Sequence, residues 1–395
     1  MGLAALCVAS VARAESPKTN TAAAPQVAGA PGKGVSFDFG DPFSLRLRGR
    51  LQTRAIVDLP EEKAAQSTVS VGTARLSFEG HIHAPTLEYT LQLALGERDF
   101  RESARSPVLD AFVLWRAHRD LNVRVGQFFV PFDRMRTIRD GALQLVDRAR
   151  PVVELALDRD VGVEIASDTL GGDHSPVGYH LGVFGGGGVH NVTPRDAGAL
   201  VVARLELRPM GLFDDDTDSD LRRTPSPRLA LGVGAARNMS TNRTRSTTGP
   251  SFALGNVDYS HVAADAVFKW AGFAAQAEWL WRHASVQALK GTAADGAEVT
   301  EGTRGGSGYV GQASYVFETP FEIVARFARL MADSDAEPKF VSDARDRGQE
   351  LGVGLNYYAH GHALKVQTAW TARSAPGLAL DAADHTAQVA LDVAF

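Results

Sequence analysis

The stretch SLRLRGRLQTRAIV, residues 44–57, alternates between arginine-rich and apolar positions. One parity carries Arg46, Arg48, Arg50 and Arg54, and the other carries Leu45, Leu47, Leu51, Ala55 and Val57. Successive side chains of a β-strand point to opposite faces, so this stretch predicts a strand with one apolar face and one arginine face. Strands with a single wet face are common, but four guanidinium groups in a row exceed what a solvated surface requires. The arginine face is therefore predicted to contact anions in water.

The same alternation recurs along the chain in about sixteen short segments, which is the pattern of transmembrane β-strands. After the first, they are predicted at residues 74–82, 87–95, 109–117, 123–128, 161–166, 177–184, 200–208, 229–238, 261–270, 273–282, 309–316, 321–330, 348–358, 364–370 and 386–395. Beyond the N-terminus, no apolar run approaches the roughly 18 residues that a membrane helix needs. Any insertion into a bilayer must therefore be as a barrel.

A soluble β-sandwich would show the same alternation, with its apolar faces turned inward. The connection lengths favour a barrel, because short connections alternate with longer ones, as periplasmic turns alternate with extracellular loops. The segment 209–227, which contains DDDTDSD, is an exception. The C-terminal strand also ends on an aromatic residue, Phe395, on its apolar face. The fold class predicted is all-β, an antiparallel transmembrane β-barrel of 16 strands with short periplasmic turns and long extracellular loops.

The N-terminus predicts export from the cytoplasm. Residues 3–11 are apolar and precede Ala12-Arg13-Ala14, a small-x-small cleavage pattern, so residues 1–14 are predicted to be a signal peptide. Residues 15–36 are rich in Ala, Pro, Thr and Lys and are expected to form a flexible periplasmic segment. Residues 37–395 would form the barrel. The single cysteine, Cys7, lies inside the predicted leader, so we expect no disulfide and no cysteine metal site.

Several blocks resemble the phosphate-selective porin O and P family of Gram-negative outer membranes. They include SLRLRGRLQ near the start, VRVGQFFVPF at residues 123–132, LVDRA with RDVGVEI within residues 145–165, and VGLNYYAHGHALKVQTAW from residue 353. The resemblance implies a sixteen-stranded barrel in the outer membrane, a homotrimer, and one pore per subunit. It also implies that the connection 127–159 folds inward to constrict the pore. That connection carries Arg134, Arg136, Arg139, Arg148, Arg150 and Arg159.

Inward-facing arginines are the candidate anion-binding groups, because a planar guanidinium donates to two oxygens of a phosphate or carboxylate at once and stays charged. The candidates in the lumen are Arg46, Arg48, Arg50, Arg54, Arg75, Arg124, Arg204 and Arg326. The acidic residues Glu79, Glu88 and Asp110 share the inferred inner face. The alternative role for these arginines is in ion-pair networks that hold the wall rigid. We expect residues 46–54 to escape full neutralisation, because the neighbouring strands show no acidic row of matching density.

Other chemistry is weakly indicated. The aspartates of the turn 214–220 do not have the spacing of a calcium-binding loop, and a solvated acidic turn is the favoured interpretation. No arrangement of residues predicts an enzyme, and no cofactor, metal or nucleic-acid partner is expected. The predicted partners are outer-membrane lipid and small anions such as phosphate.

The predicted function is passive diffusion of small anions, with phosphate or polyphosphate implied by the resemblance, through an arginine-lined, water-filled pore. The alternative is a barrel with an adhesive or receptor role. In that case the outer loops 239–258 and 283–306 would carry the function, and the connection 127–159 would plug the lumen.

Overall fold

The computed structural model describes residues 26–96, 106–189, 196–292, 296–377 and 380–395. In chain order its strands are β1 (Gln26–Ala30), β2 (Gly34–Asp38), β3 (Ser44–Leu59), β4 (Gln66–Ile82), β5 (Ala84–Ala94), β6 (Val108–His118), β7 (Leu121–Phe129), β8 (Arg159–Ser167), β9 (Val177–Phe184), β10 (Leu200–Leu207), β11 (Arg228–Thr241), β12 (Arg243–Arg245), β13 (Thr248–Ser251), β14 (Val257–Trp270), β15 (Phe273–Ala284), β16 (Ala288–Thr292), β17 (Glu298–Gly302), β18 (Gly306–Val316), β19 (Phe321–Ala332), β20 (Gln349–His362), β21 (Leu364–Ser374) and β22 (Asp384–Ala394). The helices are α1 (Arg134–Thr137), α2 (Arg150–Leu155) and α3 (Pro338–Arg347), with 3-10 turns at Asp140–Ala142 and Leu380–Ala382.

A closed antiparallel barrel of 16 strands contains all of these strands except β1, β2, β12, β13, β16 and β17. Each of the sixteen predicted segments coincides with one barrel strand to within a residue or overlaps it over most of its length, so the predicted fold class is confirmed. The barrel closes where β22 pairs with β3. There the backbones of Gly49 and Phe395 exchange hydrogen bonds of 2.7 and 2.9 Å, so the aromatic C-terminal residue lies in the seam. No helix in the described ranges is long and apolar enough to span a bilayer.

The strand faces have the polarity that a membrane barrel requires. In β3, Leu47 and Leu51 are exposed on the outer face, whereas Gln52 on the opposite face is buried. The same holds at the C-terminus, where Val389 and Leu391 are exposed and Asp392 is buried. Because the apolar faces are the exposed ones, they do not pack into a sandwich core, and the polar faces surround the lumen.

Short turns cluster at the periplasmic end. Between β14 and β15 the connection is Ala271-Gly272, and both residues have positive φ angles of 49° and 94°. Positive φ at both central positions is the geometry of a type I′ hairpin turn, whose twist matches that of the flanking strands. Glycine adopts it without strain, whereas Ala271 does so at a cost.

One boundary requires correction. The segment 15–36 was expected to be flexible, but within it β1 pairs with β2, and β2 pairs with residues Ser44–Leu47 of β3. The reason is that β22 ends at the level of Gly49, which leaves the first residues of β3 with an unpaired edge, and β2 supplies the missing backbone partners. The prediction of flexibility is therefore wrong for residues 26–36. The predicted signal peptide, Cys7 and residues 15–25 lie outside the described residues.

Two connections fold into the barrel. The connection between β7 and β8, residues 130–158, buries Val130, Phe132, Leu155 and Leu157 against the inner wall. We call it the inner loop. The connection between β10 and β11, residues 208–227, enters from the periplasmic end, and its Asp218 and Asp220 are buried. We call it the inner turn. The expectation of a solvated acidic turn is therefore wrong for these two aspartates. Asp218 contacts Gln144 of the inner loop, whereas Asp220 accepts hydrogen bonds from Thr224 and from the backbone of Gly272.

Candidate functional site

Three arginines of β3 point into the lumen together, as the alternation predicted, but each has an acidic partner. Arg48 forms an ion pair with Glu79 of β4. Arg50 donates to both carboxylate oxygens of Asp392 at 2.7 and 2.9 Å. Most of the row is therefore neutralised, because β4, β22 and the inner loop each supply a carboxylate. Only Arg46 has no acidic partner among the described residues, so the row escapes full neutralisation at this one position.

The outer members of the row differ from one another. Arg54 lies 3.4 Å from Asp147 of the inner loop and has a further interaction. Arg46 is exposed at the periplasmic end, where its Nε donates to the Ser36 hydroxyl at 3.1 Å. Arg46 therefore lines the mouth of the barrel, whereas Arg54 helps to hold the inner loop.

Two more predicted lumen arginines lie on the first strands of the barrel. Arg75 of β4 contacts Asp140 of the inner loop at 2.7 Å. Arg124 of β7 lies 3.3 Å from Glu164 and 5.0 Å from the ring centre of Phe128. Both side chains remain partly accessible, so they qualify as lining groups.

Arg204 and Arg326 point inward but are sealed from the lumen. Arg204 is 6% exposed and pairs with Asp265 and Glu206. Arg326 is 5% exposed and pairs with Glu350 at 2.8 Å. The inner loop packs over this side of the wall and accepts hydrogen bonds from both arginines through the carbonyl oxygens of Phe132 and Asp147. These two arginines are therefore anchors for the loop rather than lining groups.

The inner loop lies across the lumen. On one side Asp140 of the loop contacts Arg75 of β4. The next residue, Gly141, passes so close to β3 that a Cβ placed on it would lie 2.8 Å from Arg50 Nη1, which leaves no space for a side chain. On the other side the Leu143 carbonyl accepts from Lys365 Nζ at 2.9 Å, and Leu145 packs among apolar residues of β19, β21 and β22. The prediction of an inward-folded loop therefore agrees with the structure.

Most arginines of the inner loop hold it together. Arg136 pairs with Asp158, Arg148 with Asp140 and Arg150 with Asp343, and Arg134 donates to the carbonyl oxygens of Asp215 and Thr217. Arg159, predicted to belong to this connection, is the first residue of β8 and pairs with Asp110 of β6. Burial alone would raise the pKa of Asp140, but the charges of Arg148, Arg75 and Arg50 outweigh it and hold this pKa well below its usual value. Asp140 therefore stays ionised and links the loop to β4.

Arg139 differs from the other arginines of the inner loop. It is exposed, and no described residue forms a hydrogen bond or an ion pair with its side chain. Since it sits next to Asp140 and Gly141, it lies in the part of the loop that faces β3 and β4. Its positive charge is therefore available to a solute.

The predicted lumenal acids are all paired. Glu79 binds Arg48, and Asp110 accepts from Arg159 at 2.6 Å. Glu88 accepts from Arg116 at 2.5 and 3.1 Å near the periplasmic end. These carboxylates neutralise wall arginines, as the ion-pair alternative supposed.

A cavity of about 990 Å³ opens at the extracellular end and reaches down to the inner loop. Its lining includes eight basic and five acidic side chains. The basic ones are Lys63, Arg148, Arg150, Arg245, Arg304, Lys339, Arg347 and Arg373. We call this cavity the vestibule. Sequence reasoning missed six of the eight, since they come from different loops and no spacing pattern predicts that they converge.

Glu154 of α2 organises the floor of the vestibule. Its carboxylate contacts Arg282 at 2.9 Å, Arg245 at 3.1 Å and Arg304 at 3.2 Å. One carboxylate balances only one of three guanidinium groups, although Arg304 also pairs with Glu337. Glu154 therefore draws three guanidinium groups together at the floor of the vestibule.

The inner turn is tied to the inner loop and to the wall. Lys269 of β14 donates to the carbonyl oxygens of Asp214 and Thr217 at 2.7 and 2.9 Å. Asp218 accepts from the backbone N–H of Gln144 at 3.3 Å. Among the described residues, no group of three or more His, Cys, Asp or Glu side chains is arranged to hold a metal ion. The inner turn thus narrows the barrel from the periplasmic side.

The family model described as phosphate-selective porin O and P matches residues 45–391. No curated protein sequence matches the chain.

Several solved structures share the fold. OmpF of Salmonella typhi, in complex with daunomycin, has a TM-score of 0.61 and 12% identity, over 94% of this chain and 100% of that one. OmpT of Vibrio cholerae, in a trimer form, has a TM-score of 0.56 and 12% identity over 90% and 100%. An anion-selective porin from Comamonas acidovorans has a TM-score of 0.54 and 12% identity over 89% and 100%.

Proposed function

The chain belongs to the phosphate-selective porin O and P family, and we propose that it forms an outer-membrane pore through which small anions diffuse passively. The family and the fold are those of channels. The proposal excludes an enzymatic activity and needs no cofactor.

One observation carries the proposal: the exposed guanidinium of Arg139, which has no acidic partner among the described residues, lies where a solute would meet it. Basic side chains are also frequent in the lining of the vestibule above it, where several of them pair with carboxylates. Fixed positive potential in a narrow, low-dielectric passage concentrates anions and repels cations. The paired arginines add hydrogen-bond donors without adding net charge.

We propose that an anion enters the vestibule, passes Arg148 and Arg150 at its floor, and then moves between Arg139 and the wall formed by β3 to β7. Guanidinium groups replace part of the hydration shell that the ion sheds in the narrowest section. Successive inward residues of a strand lie about 6 to 7 Å apart, so an ion moves from one donor group to the next without a deep trap. Arg48 and Arg46 would be the last groups before the periplasm.

The finer parts of the proposal concern the solute and the assembly. Phosphate is a suitable solute, because its oxygens accept paired hydrogen bonds from a guanidinium, and the family description names it. A homotrimer is proposed because porins of this shape assemble so, as the trimer form of Vibrio cholerae OmpT illustrates.

A second candidate function is supported by the inner turn. Two segments, one from each end, meet inside the barrel through Gln144 and Asp218. If together they close the lumen, the long outer loops would carry an adhesive or receptor role.

Planar-bilayer recording separates the two candidates. With a tenfold KCl gradient, the purified protein should conduct, and its reversal potential should have the sign of chloride preference. Arg139→Gln should reduce that preference, whereas Arg237→Gln, which alters an arginine on the outer face, should leave it unchanged. A barrel that inserts but carries no current would favour the second candidate, and cation preference would refute the first.

A further inference from the structure

The outer face of β19 carries one charged side chain within an apolar row. Its outward residues are Phe321, Ile323, Ala325, Phe327, Arg329 and Met331. Arg329 is the exception in this row. A charge on the lipid face of a barrel is costly at the midplane, and the cost decreases towards the interfaces.

Arg329 lies near the extracellular boundary of the apolar band. It is eight residues beyond Phe321, which stands at the periplasmic end of β19. At a rise of about 3.4 Å per residue and a tilt of about 40°, the height between them is roughly 20 Å. Since the apolar band of such barrels is about 25 Å tall, the guanidinium reaches the level of the outer-leaflet head groups.

Arg329 has no acceptor in the part of the chain that the structure describes. Among the described residues none forms a hydrogen bond or ion pair with it, and its Nη1 is covered without a partner. Gln349 of β20 lies directly opposite in the strand register, is only 7% exposed, and its Nε2 also lacks an acceptor. Tyr309 of β18 lies opposite on the other side. Three side chains that can donate hydrogen bonds therefore form one row across adjacent strands, without a carboxylate.

Arg237 is an arginine on the outer face that does have hydrogen-bond acceptors. It is an exposed outward arginine of β11, and it donates to Ser260 at 2.6 Å and to Asp258 at 2.9 Å on the adjacent strand. The outer face thus supplies acceptors for Arg237 but not for Arg329. A buried or half-buried donor without an acceptor is destabilising, so an external acceptor is expected at Arg329.

We propose that Arg329 and Gln349 bind the phosphate group of an outer-leaflet lipid, whose acyl chains lie along Phe327 and Leu351. A phosphate accepts paired hydrogen bonds from a guanidinium and a further one from the amide. The occupant is a lipid rather than free phosphate, because the site borders a face that contacts hydrocarbon. This site lies on the opposite side of the wall from the pore, so it does not depend on the proposed conduction.

The test measures binding to the whole purified chain in a nonionic detergent. The probe is a diphosphorylated lipid A added to the micelles, and the matched control lipid has the same acyl chains without phosphates. The wild type should bind the phosphorylated lipid and not the control. Arg329→Gln should weaken binding about tenfold, the effect of losing one charge-assisted hydrogen-bonded pair. Gln349→Leu should weaken it less, and Arg237→Gln should leave it unchanged.

Several results would overturn the proposal. One is equal binding by the wild type and Arg329→Gln; another is equal loss with Arg237→Gln. Binding of inorganic phosphate as tightly as the lipid would show that the acyl chains contribute nothing. If Arg329→Gln instead changed the oligomeric state and left lipid binding intact, Arg329 would belong to a contact between subunits. Thermal unfolding of each variant shows whether it is folded, and an unchanged reversal potential shows that its pore is intact.

Discussion

Replacing Asp392 with asparagine should make the pore more anion-selective. Asp392 is nearly fully buried, and it accepts two hydrogen bonds from Arg50 and one from Gln52 at 2.8 Å. The asparagine keeps the shape and one acceptor oxygen but removes the charge. The side chain of Arg50 is 15% exposed, so in the variant it presents an unbalanced positive charge to the lumen.

The magnitude follows from the distance at which an ion passes. The electrostatic interaction energy between the guanidinium and a monovalent ion about 6 Å away in water is about 0.7 kcal/mol, and at 0.1 M salt screening reduces this energy by roughly half. Chloride should therefore become about twofold more concentrated there, potassium about twofold less, and the permeability ratio should rise roughly fourfold. At 1 M salt, where the Debye length is about 3 Å, the effect should nearly vanish.

The assay is the reversal potential across a KCl gradient at low and at high salt. Asp258→Asn is the matched control, since it removes the same charge from an outer-face carboxylate that pairs with Arg237. An unchanged ratio for Asp392→Asn at low salt, or an equal rise in the control, would refute the assignment of Arg50 to the ion path.

Two further predictions concern the segments inside the barrel. The pKa of Asp140 is depressed in the folded protein, so its ion pairs stabilise the inner loop above the unfolded pKa of about 3.9 and are lost as the pH falls through the lower, folded pKa. The difference in Tm between the wild type and Asp140→Asn should therefore be constant from pH 5 to 8 and should shrink below about pH 4. A difference that disappears between pH 5 and 7 would contradict this cause. Lys269→Met should release the inner turn, because it removes three hydrogen bonds to Asp214 and Thr217, and should therefore increase the single-channel conductance. The control variant Lys290→Met, at an exposed position outside the barrel wall, should conduct as the wild type does. Equal conductance in both variants would mean that the inner turn does not narrow the path.

The strand alternation was visible in the sequence because it is a local property of the chain. Side-chain direction in a strand depends only on parity, so Arg48 and Leu47 could be assigned to opposite faces before any pairing was known. The same logic identified all sixteen barrel strands. The inner loop was implied by the family resemblance, and it is present in the structure.

The charge balance was not visible, because it depends on contacts between distant residues. Arg50 and Asp392 are separated by 342 positions and meet only because the barrel closes. Arg54 meets Asp147 only because the inner loop folds back on β3. Residues 208–227 read as an ordinary acidic turn, and only the position of Lys269 opposite their carbonyl oxygens shows why they enter the barrel.

The central claim is that anions pass Arg139, and a single introduced thiol tests it most directly. In a Cys7→Ser background, which leaves the chain without a native cysteine, Arg139→Cys should react with small methanethiosulfonate reagents added to an open channel. A negatively charged reagent should reduce the chloride current and lower the chloride preference, and a positively charged one should restore both. If both reagents react with the thiol and neither changes the current or the reversal potential, anions do not pass Arg139 and the proposed path is wrong.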